Sequence, residues 1–299
     1  MEAITIKAPA KVNLSLDITG RREDGYHFLK TVMLAVTLFD QITVTRMDTS
    51  GIIISCSRAD IPCDESNIAH KAASAFFNRM GIVSRGIRIH IKKKIPSQAG
   101  LGGGSADGAA VITALDRLYK TGLTLEQRTE IGLTAGADIP FCMTGGMALA
   151  EGIGEILTPI PGRLDAQLVI CKPPVGVSTA AAYRKFDEAG AVCPPLTESL
   201  VAALIAGDLK GASSYMSNAF EKLLSLPEVS QIEHRMLGYG ALTAVMSGSG
   251  SAVYGVFDSR LKAEKCLLAL KEEYLEVYLC EPYAAGCTAV KNLFGSEAE

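Results

Sequence analysis

The stretch Lys92-Lys93-Lys94-Ile95-Pro96-Ser97-Gln98-Ala99-Gly100-Leu101-Gly102-Gly103-Gly104-Ser105-Ala106 puts four glycines into the five positions from Gly100 to Gly104. Ala109, Ala110, Ala114, Leu115 and Leu118 follow at helical spacing, which predicts a helix from about Ser105 to Lys120, closed by Gly122. Each glycine loses roughly 0.5–1 kcal/mol of ordering entropy relative to alanine, so a cluster of them at a helix start needs a use. Backbone N–H groups free of side chains, aimed along a helix dipole, form a seat for an anion, and a phosphate fits it. Ser105 adds a hydroxyl there, where capping is its other use. The run Lys92 to Lys94 offers charge near the loop, although such a run on a strand is ordinarily solvated. Two familiar phosphate loops are excluded. No Gly-Lys pair occurs in the chain, which removes the G-x-x-x-x-G-K-[ST] pattern, and Ser105 stands where the dinucleotide fingerprint needs its third glycine.

Upstream, the segment from Pro9 to Gly20 alternates strictly. Val12, Leu14, Leu16 and Ile18 share one face and Lys11, Asn13, Ser15 and Asp17 the other, the pattern of a half-buried strand. Taken alone, Lys11 reads as a solvent-facing lysine. Further strands are expected at 31–39, 41–46, 51–56 and 86–91. Ser66 opens a helix with Ile68, Ala72, Ala75 and Phe76 on one side and Gly81 at its end, and Thr124 with Gln127 forms a capping box for a third helix that ends before Gly136. Thr158-Pro159-Ile160-Pro161-Gly162-Arg163 breaks the periodicity twice with proline, so two domains are expected, 1–161 and 162–299. Beyond it, strands at 166–171, 241–246 and 252–257 interleave with helices at 198–206, 209–216 and 259–274, giving an α+β class. The small, acidic tail from Gly295 is expected to fray.

Composition narrows the function. With 48% hydrophobic and 20% charged residues the chain has material for a buried core, which excludes global disorder. Lys plus Arg number 29 against 32 Asp plus Glu, and a net charge of -3 argues against a chain that wraps nucleic acid or hugs anionic lipid. No window approaches the ~18 apolar residues of a membrane span. Cys56, Cys63, Cys142, Cys171, Cys193, Cys266, Cys280 and Cys287 form no C-x-x-C pair and have no histidine at metal spacing, so they read as reduced thiols of a cytoplasmic protein.

Three further segments carry chemistry. Gly136-Ala137-Asp138-Ile139-Pro140-Phe141 sets a carboxylate among small and apolar residues. An Asp beside a Pro is ordinarily turn chemistry, but a carboxylate in such surroundings also calls for a cation beside it. Lys11 is the candidate, although spacing alone does not bring the two together. Gly20-Arg21-Arg22-Glu23-Asp24-Gly25-Tyr26-His27 reads as a hairpin turn whose Tyr26 can stack on a ring and whose His27 can donate and accept hydrogen bonds. Ser247-Gly248-Ser249-Gly250-Ser251, between two strands, reads as another hairpin turn.

In order and spacing, Pro9-Ala10-Lys11-Val12-Asn13-Leu14, the Pro96 to Ala106 loop and the Ser247 to Ser251 turn resemble the three motifs of the GHMP kinase superfamily. The resemblance covers essentially the whole chain and is most specific in its first half. Gly20 to His27, Gly100 to Ser105, Gly136 to Pro140 and Ala150 to Pro159 are similar to the branch of the family that acts on a cytidine-diphosphate-linked alcohol. The resemblance implies a ribosomal protein S5 domain 2-like N-terminal domain and a ferredoxin-like C-terminal domain. It implies ATP, accompanied by Mg2+, and phosphorylation of the 2-hydroxyl of diphosphocytidyl methylerythritol on the non-mevalonate route to isoprenoid precursors. The alternative within the family is a small-molecule kinase of homoserine or mevalonate type.

By position, the resemblance gives Asp138 the general-base role and Lys11 that of its cation. Gly100, Leu101, Gly102, Gly103, Gly104 and Ser105 would hold the ATP phosphates, with Asn67 and Lys93 on the adenine side. Tyr26 and His27 match a cytosine-recognising pair, Asn13 a contact near the acceptor, and Thr179 and Tyr183 the far side of the substrate pocket. Tyr183 stands where other members can carry Phe. The glutamate by which mevalonate kinase holds magnesium has no counterpart here, so metal ligands stay unassigned. The implied partner is a small molecule, not nucleic acid or membrane, for a cytoplasmic monomer or homodimer. Two readings of other classes stand against this: a non-catalytic module that senses ATP, and a nucleic-acid binder on an S5-like fold, which the charge of -3 disfavours.

Overall fold

The computed structural model describes residues 2–83, 86–190 and 195–290. In chain order the first part runs β1 (Ala3–Arg21), β2 (His27–Arg46), β3 (Ile52–Cys56), α1 (Ile68–Met80), β4 (Ile87–Lys92), α2 (Gly103–Tyr119), α3 (Leu125–Leu133), α4 (Ile139–Thr144), β5 (Met147–Gly152) and β6 (Ile156–Pro159). Then come β7 (Gln167–Lys172), α5 (Thr179–Ala189), α6 (Thr197–Ile205), α7 (Leu209–Tyr215), β8 (Ser217–Asn218), α8 (Glu221–Leu224), α9 (Pro227–Gly238), β9 (Thr243–Met246), β10 (Val253–Phe257), α10 (Arg260–Lys271), β11 (Glu276–Cys280) and β12 (Thr288–Ala289). Cys193 and the tail from Gly295 lie outside the described residues. The seven cysteines that are described are free, and among the described residues no helix is long and apolar enough to cross a membrane.

Two long strands carry the first sheet. β1 and β2, of 19 and 20 residues, pair antiparallel from Ala3 opposite Thr45 to Arg21 opposite His27. The expected break in β2 near residue 40 is absent. The strand runs through, starts at His27 rather than Thr31, and the register slips at Pro9/Ala10, where proline supplies no ladder donor. The order is β12-β1-β2-β4-β3, with β5 beside β2, β6 beside β5 and β8 beside β1. Val12, Leu14, Ile42, Val44, Ile87, Ile89 and Ile91 meet Ala106, Ala109, Ala110 and Leu115 of α2 in one fully buried core.

The second sheet, β11-β7-β10-β9, is antiparallel throughout. Counted in order of appearance its strands lie 4-1-3-2, with helices in the first and last connections, which is the ferredoxin-like split βαβ arrangement. Strand alternation divides its residues. Val169, Cys171, Val253 and Phe257 pack with α9 and α10, while Leu168, Ile170, Tyr254 and Val256 join the core of the first sheet.

One departure from the sequence reading matters for function. The polar face of β1 is not in water: Lys11, Asn13, Ser15 and Asp17 are all buried. Ser15 Oγ lies 2.8 Å from Thr197 Oγ1, the Thr197 N–H donates to Asp17 Oδ2 at 3.0 Å, and the Asn13 N–H donates to Ser247 Oγ at 3.1 Å. Periodicity reports that a face is polar, not what covers it, and here the cover comes from the other half of the chain. Smaller corrections concern helix ends. α1 is capped by Asn67, not Ser66, and α2 starts at Gly103 and ends with Lys120 left-handed at φ 53°. The Thr124–Gln127 capping box forms as expected. The sequence reading contained neither α4, α5 and α9 nor β5, β6 and β11.

Candidate active site

β4 ends at Lys92 and α2 begins at Gly103, so the glycine loop borders a cleft of about 1150 Å³ lined from both halves of the chain. Gly102 caps α2 at φ 69° with no side-chain bond, which leaves the amides of Gly103, Gly104 and Ser105 without a capping partner. A Cβ on Gly102 would stand 2.9 Å from Lys11 Cγ, so glycine there lets the lysine pass. A Cβ on Gly100 would stand 1.9 Å from the Ser247 carbonyl oxygen. The Lys11 N–H donates to Leu101 O at 3.0 Å, and Ser247 Oγ donates to Gly100 O at 3.0 Å. The first strand, the glycine loop and the Ser247 turn therefore meet at one point. Leu101 has its side chain in the core, so only its backbone faces the loop's business.

At that point Lys11 Nζ lies 3.3 Å from Asp138 Oδ2 and donates to Asn13 Oδ1 at 2.6 Å. β1 sets Lys11 and Asn13 on one face, two residues apart. Asn13 Nδ2 donates in turn to Thr31 Oγ1 at 2.8 Å, and the Thr31 hydroxyl donates to Ser15 O. Asp138 immediately precedes α4, whose first turn holds Pro140, and its carboxylate does not cap that helix. It turns to Lys11 instead. The lysine side chain is 6% exposed and the aspartate 30%, so the ammonium is sealed while the carboxylate is open to the cleft.

Lys93 and Asn67 line the same cleft but have commitments of their own. Lys93 Nζ donates to Asp40 Oδ2 at 2.6 Å and to Asp107 Oδ2 at 2.7 Å. Burial works against its ammonium, yet the Asp107 and Asp40 carboxylates outweigh it and hold Lys93 above the usual lysine range. Burial pushes Asp107 up to about 8, against the pull of Lys93. Asp40 Oδ1 also accepts from the backbone N–H of Lys94 and Ile95, at 2.5 and 2.9 Å. The middle lysine of the run is thus buried and paired rather than solvated. Asn67 accepts from the Ala69 N–H at 2.8 Å and donates to Pro62 O at 2.6 Å.

At the other end of the cleft His27 is buried, with Nε2 2.7 Å from Asp187 Oδ1. Its ring stacks on Tyr183 at 4.7 Å and 15°, and Tyr183 meets Phe220 edge-on at 4.9 Å. Burial first, then the Asp138 charge, pushes the Tyr183 hydroxyl up to about 12. Tyr26 stands on the rim, 62% exposed. Thr179 Oγ1 lies 2.9 Å from Ser249 Oγ and joins α5 to the turn after β9. Every residue to which the resemblance assigned a catalytic, nucleotide or substrate role lines this one cleft.

Family models describe the same two parts. GHMP kinases N terminal domain matches residues 67–146, and GHMP kinases C terminal matches residues 200–276. Proteins named 4-diphosphocytidyl-2-C-methyl-D-erythritol kinase from Clostridium botulinum and Alkaliphilus oremlandii are 41% and 42% identical, over 92% and 96% of this chain and 98% and 99% of theirs. The chain belongs to the GHMP kinase family. A crystal structure of 4-(cytidine 5'-diphospho)-2C-methyl-D-erythritol kinase superposes with a TM-score of 0.77 at 33% identity, covering 93% of this chain and 98% of that one. Homoserine kinase from Cytophaga hutchinsonii superposes with 0.78 at 21% identity, covering 97% and 98%, a likeness of fold.

In this GHMP kinase the sequence reading missed Asp40, Asp107 and Asp187, and it gave Ser247 no role of its own beyond its place in the third motif. Each acts through a partner far along the chain, so no local spacing announced it. The one available signal was a lysine run entering a glycine loop: a lysine there that turns inward must find carboxylates. Among the described residues no group of three or more His, Cys, Asp or Glu side chains gathers to hold a metal ion.

Proposed function

We propose that the protein transfers the γ-phosphate of ATP to the 2-hydroxyl of 4-diphosphocytidyl-2-C-methyl-D-erythritol, on the non-mevalonate route to isoprenoid precursors. The observation that carries this reading is the Lys11–Asp138 pair, 3.3 Å apart, beside uncapped amides of a glycine loop and in one cleft with Tyr26, His27 and Tyr183. The names of relatives at 41–42% identity supply the substrate class.

The acceptor is a tertiary alcohol and a weak nucleophile. Asp138 takes its proton, a contribution of about 10²–10⁴ in rate for a well-placed base. Lys11, held by Asn13, offsets the charge on the attacking oxygen. Transfer of this kind depends mainly on alignment and charge neutralisation. The amides from Gly102 to Ser105, at the positive end of α2, hold the phosphates in line. Lys93 is held by Asp40 and Asp107, so it suits the uncharged adenine side, with Asn67, rather than a phosphate. His27, Tyr26, Tyr183 and Thr179 take the cytidine side. Residues 1–161 bind the nucleotide and 162–299 complete the substrate pocket. Magnesium carried by the nucleotide would supply screening of its phosphates; the described residues offer no clustered ligand set for it, and no protein ligand is assigned.

An assay of ADP release with the diphosphocytidyl alcohol, homoserine and mevalonate in parallel tests the reading. Turnover confined to the first is expected. Equal or faster release with homoserine or mevalonate overturns the substrate, and ATP binding without transfer to any of them overturns the activity.

A further inference from the structure

Asp187 takes no part in the reaction assigned above, yet it grips a residue at the base end of the cleft. It lies near the end of α5, whereas His27 opens β2 in the other half of the chain. Asp187 Oδ1 is 2.7 Å from His27 Nε2, and Oδ2 is 3.5 Å from Arg21 Nη1. An ionised carboxylate can only accept, so Nε2 carries the hydrogen. The other ring nitrogen, Nδ1, has no partner among the described residues and is not among their sealed polar atoms. The ring lines the cleft and is held against turning by Tyr183 on its face and by Phe186, edge-on at 6.2 Å.

We propose that Asp187 is a positioning residue that fixes His27 in its Nε2–H form, presenting the Nδ1 lone pair to the cleft as a selector for a pyrimidine with an exocyclic amino group. The inference rests on the cytidine reading above. Cytosine carries an amino donor where uracil carries a carbonyl acceptor. A fixed lone pair attracts the first and faces a second lone pair on the other, so one group both favours and rejects. A site built to pair with a donor discriminates steeply against the analogue that lacks it, because its own polar atom is then left without a partner.

The Asp187–Arg21 contact suggests a plainer role, a strap between the β1–β2 hairpin and α5. The two roles separate by experiment. Inhibition by CDP and by UDP is compared in wild type, Asp187→Asn and Arg21→Met, with KM and kcat for the diphosphocytidyl alcohol and for ATP. Imidazole nitrogen resonances are recorded alongside. Wild type is expected to prefer CDP by roughly tenfold or more, and Asp187→Asn, whose amide can offer Nε2 either an oxygen or an N–H, to bring the ratio near unity. In that variant KM for the alcohol rises about tenfold while kcat and KM for ATP stay within about threefold. Arg21→Met keeps the CDP/UDP ratio. The wild-type spectrum shows His27 with Nε2 protonated and Nδ1 bare.

An unchanged ratio in Asp187→Asn, with both pyrimidines weakened alike, overturns the proposal in favour of the strap. A wild type that phosphorylates the alcohol but does not tell CDP from UDP overturns it as well. Should Asp187→Asn fail to fold, the wild-type spectrum decides, since a protonated Nδ1 with a bare Nε2 overturns the assignment. Absence of any turnover of the alcohol by wild type is a different failure, that of the activity itself, and leaves the spectrum to judge Asp187.

Discussion

Lys11 is buried yet, among the described residues, makes only two polar side-chain contacts, to Asn13 and Asp138, and the second faces an open cleft. A buried ammonium with so little protein around it is placed for a third partner, the oxygen that gains charge during transfer. Asp138→Asn keeps the shape of the site and removes its proton acceptor. It is expected to lower kcat by about 10²–10⁴ while the Kd for ATP, measured by titration, stays within about threefold. Near-normal turnover in that variant would remove Asp138 as the base. Asp107 makes a prediction of another kind. An unfolded aspartate loses its proton near pH 4, whereas folded Asp107 keeps it up to about 8 because of burial. Between those values the unfolded chain binds fewer protons than the native one, so this group makes stability fall as pH rises from about 4 to about 8, and flat beyond. Asp107→Asn has no such proton to lose. Its Tm relative to wild type should therefore climb between pH 5 and 8, and a constant difference across that range would contradict the assignment. Lys11 and Asp138 were named in the sequence through the resemblance to the family's motifs; taken alone, the lysine read as solvent-facing and the aspartate as turn chemistry, because spacing does not bring the two together. Asp40 and Asp187 were not, because their meaning lies in Lys93 and His27, which only the fold brings to them.

At the scale of elements, the glycine loop was legible because glycine is chemically conspicuous, but its boundary with α2 was misplaced by two residues. Helix-forming tendency ranks glycine low, so a helix whose first two residues are Gly103 and Gly104 looks from its sequence as if it starts at Ser105. Those glycines are there for what must lie against them. Gly102 has a left-handed φ of 69° and a Cβ there would press on the Lys11 stem, two independent objections to a side chain. Gly104 is helical, and its Cβ would meet only the Ile68 Cδ1 atom at 3.0 Å, the movable end of a side chain. Gly102→Ala is therefore expected to weaken ATP binding by tenfold or more and lower kcat as Lys11 shifts, whereas Gly104→Ala, with no left-handed φ and no contact with Lys11, has the smaller effect on both. Equal effects of the two variants, read by ATP titration and steady-state rates, would mean that the loop is held by something other than Lys11. The elements missing from the sequence reading differ in kind. α5 is largely exposed, with Ala182 as its one buried residue, whereas α4 is six residues long and buried over five of them, so it shows no periodicity that separates two faces.

The whole molecule is joined more closely than the proline-rich segment at Thr158 to Arg163 suggests. Strands β8 and β12, from the second half, pair with β1 of the first sheet. Tyr254 of β10 is fully buried and donates its hydroxyl to Leu14 O at 3.1 Å. Arg58 reaches Glu276 of β11 at 2.6 Å, and Ser247 holds both Asn13 and the glycine loop. Leu168, Ile170, Tyr254 and Val256 complete the core of the first sheet. Full burial of a large apolar side chain stabilises by about 1.5–3 kcal/mol, so these four together contribute on the order of the whole net stability of a typical domain, about 5–15 kcal/mol. The cut at residue 161 that sequence suggests would strip them away and leave the polar face of β1, with Asn13, Ser15 and Asp17, short of the partners that make its burial tolerable. Residues 1–161 produced alone are therefore expected to show no cooperative thermal transition and to bind a hydrophobic dye, and co-production with 162–299 should restore both a sharp transition and ATP binding. A fragment 1–161 that melts cooperatively would show instead that the first sheet closes its core without the second.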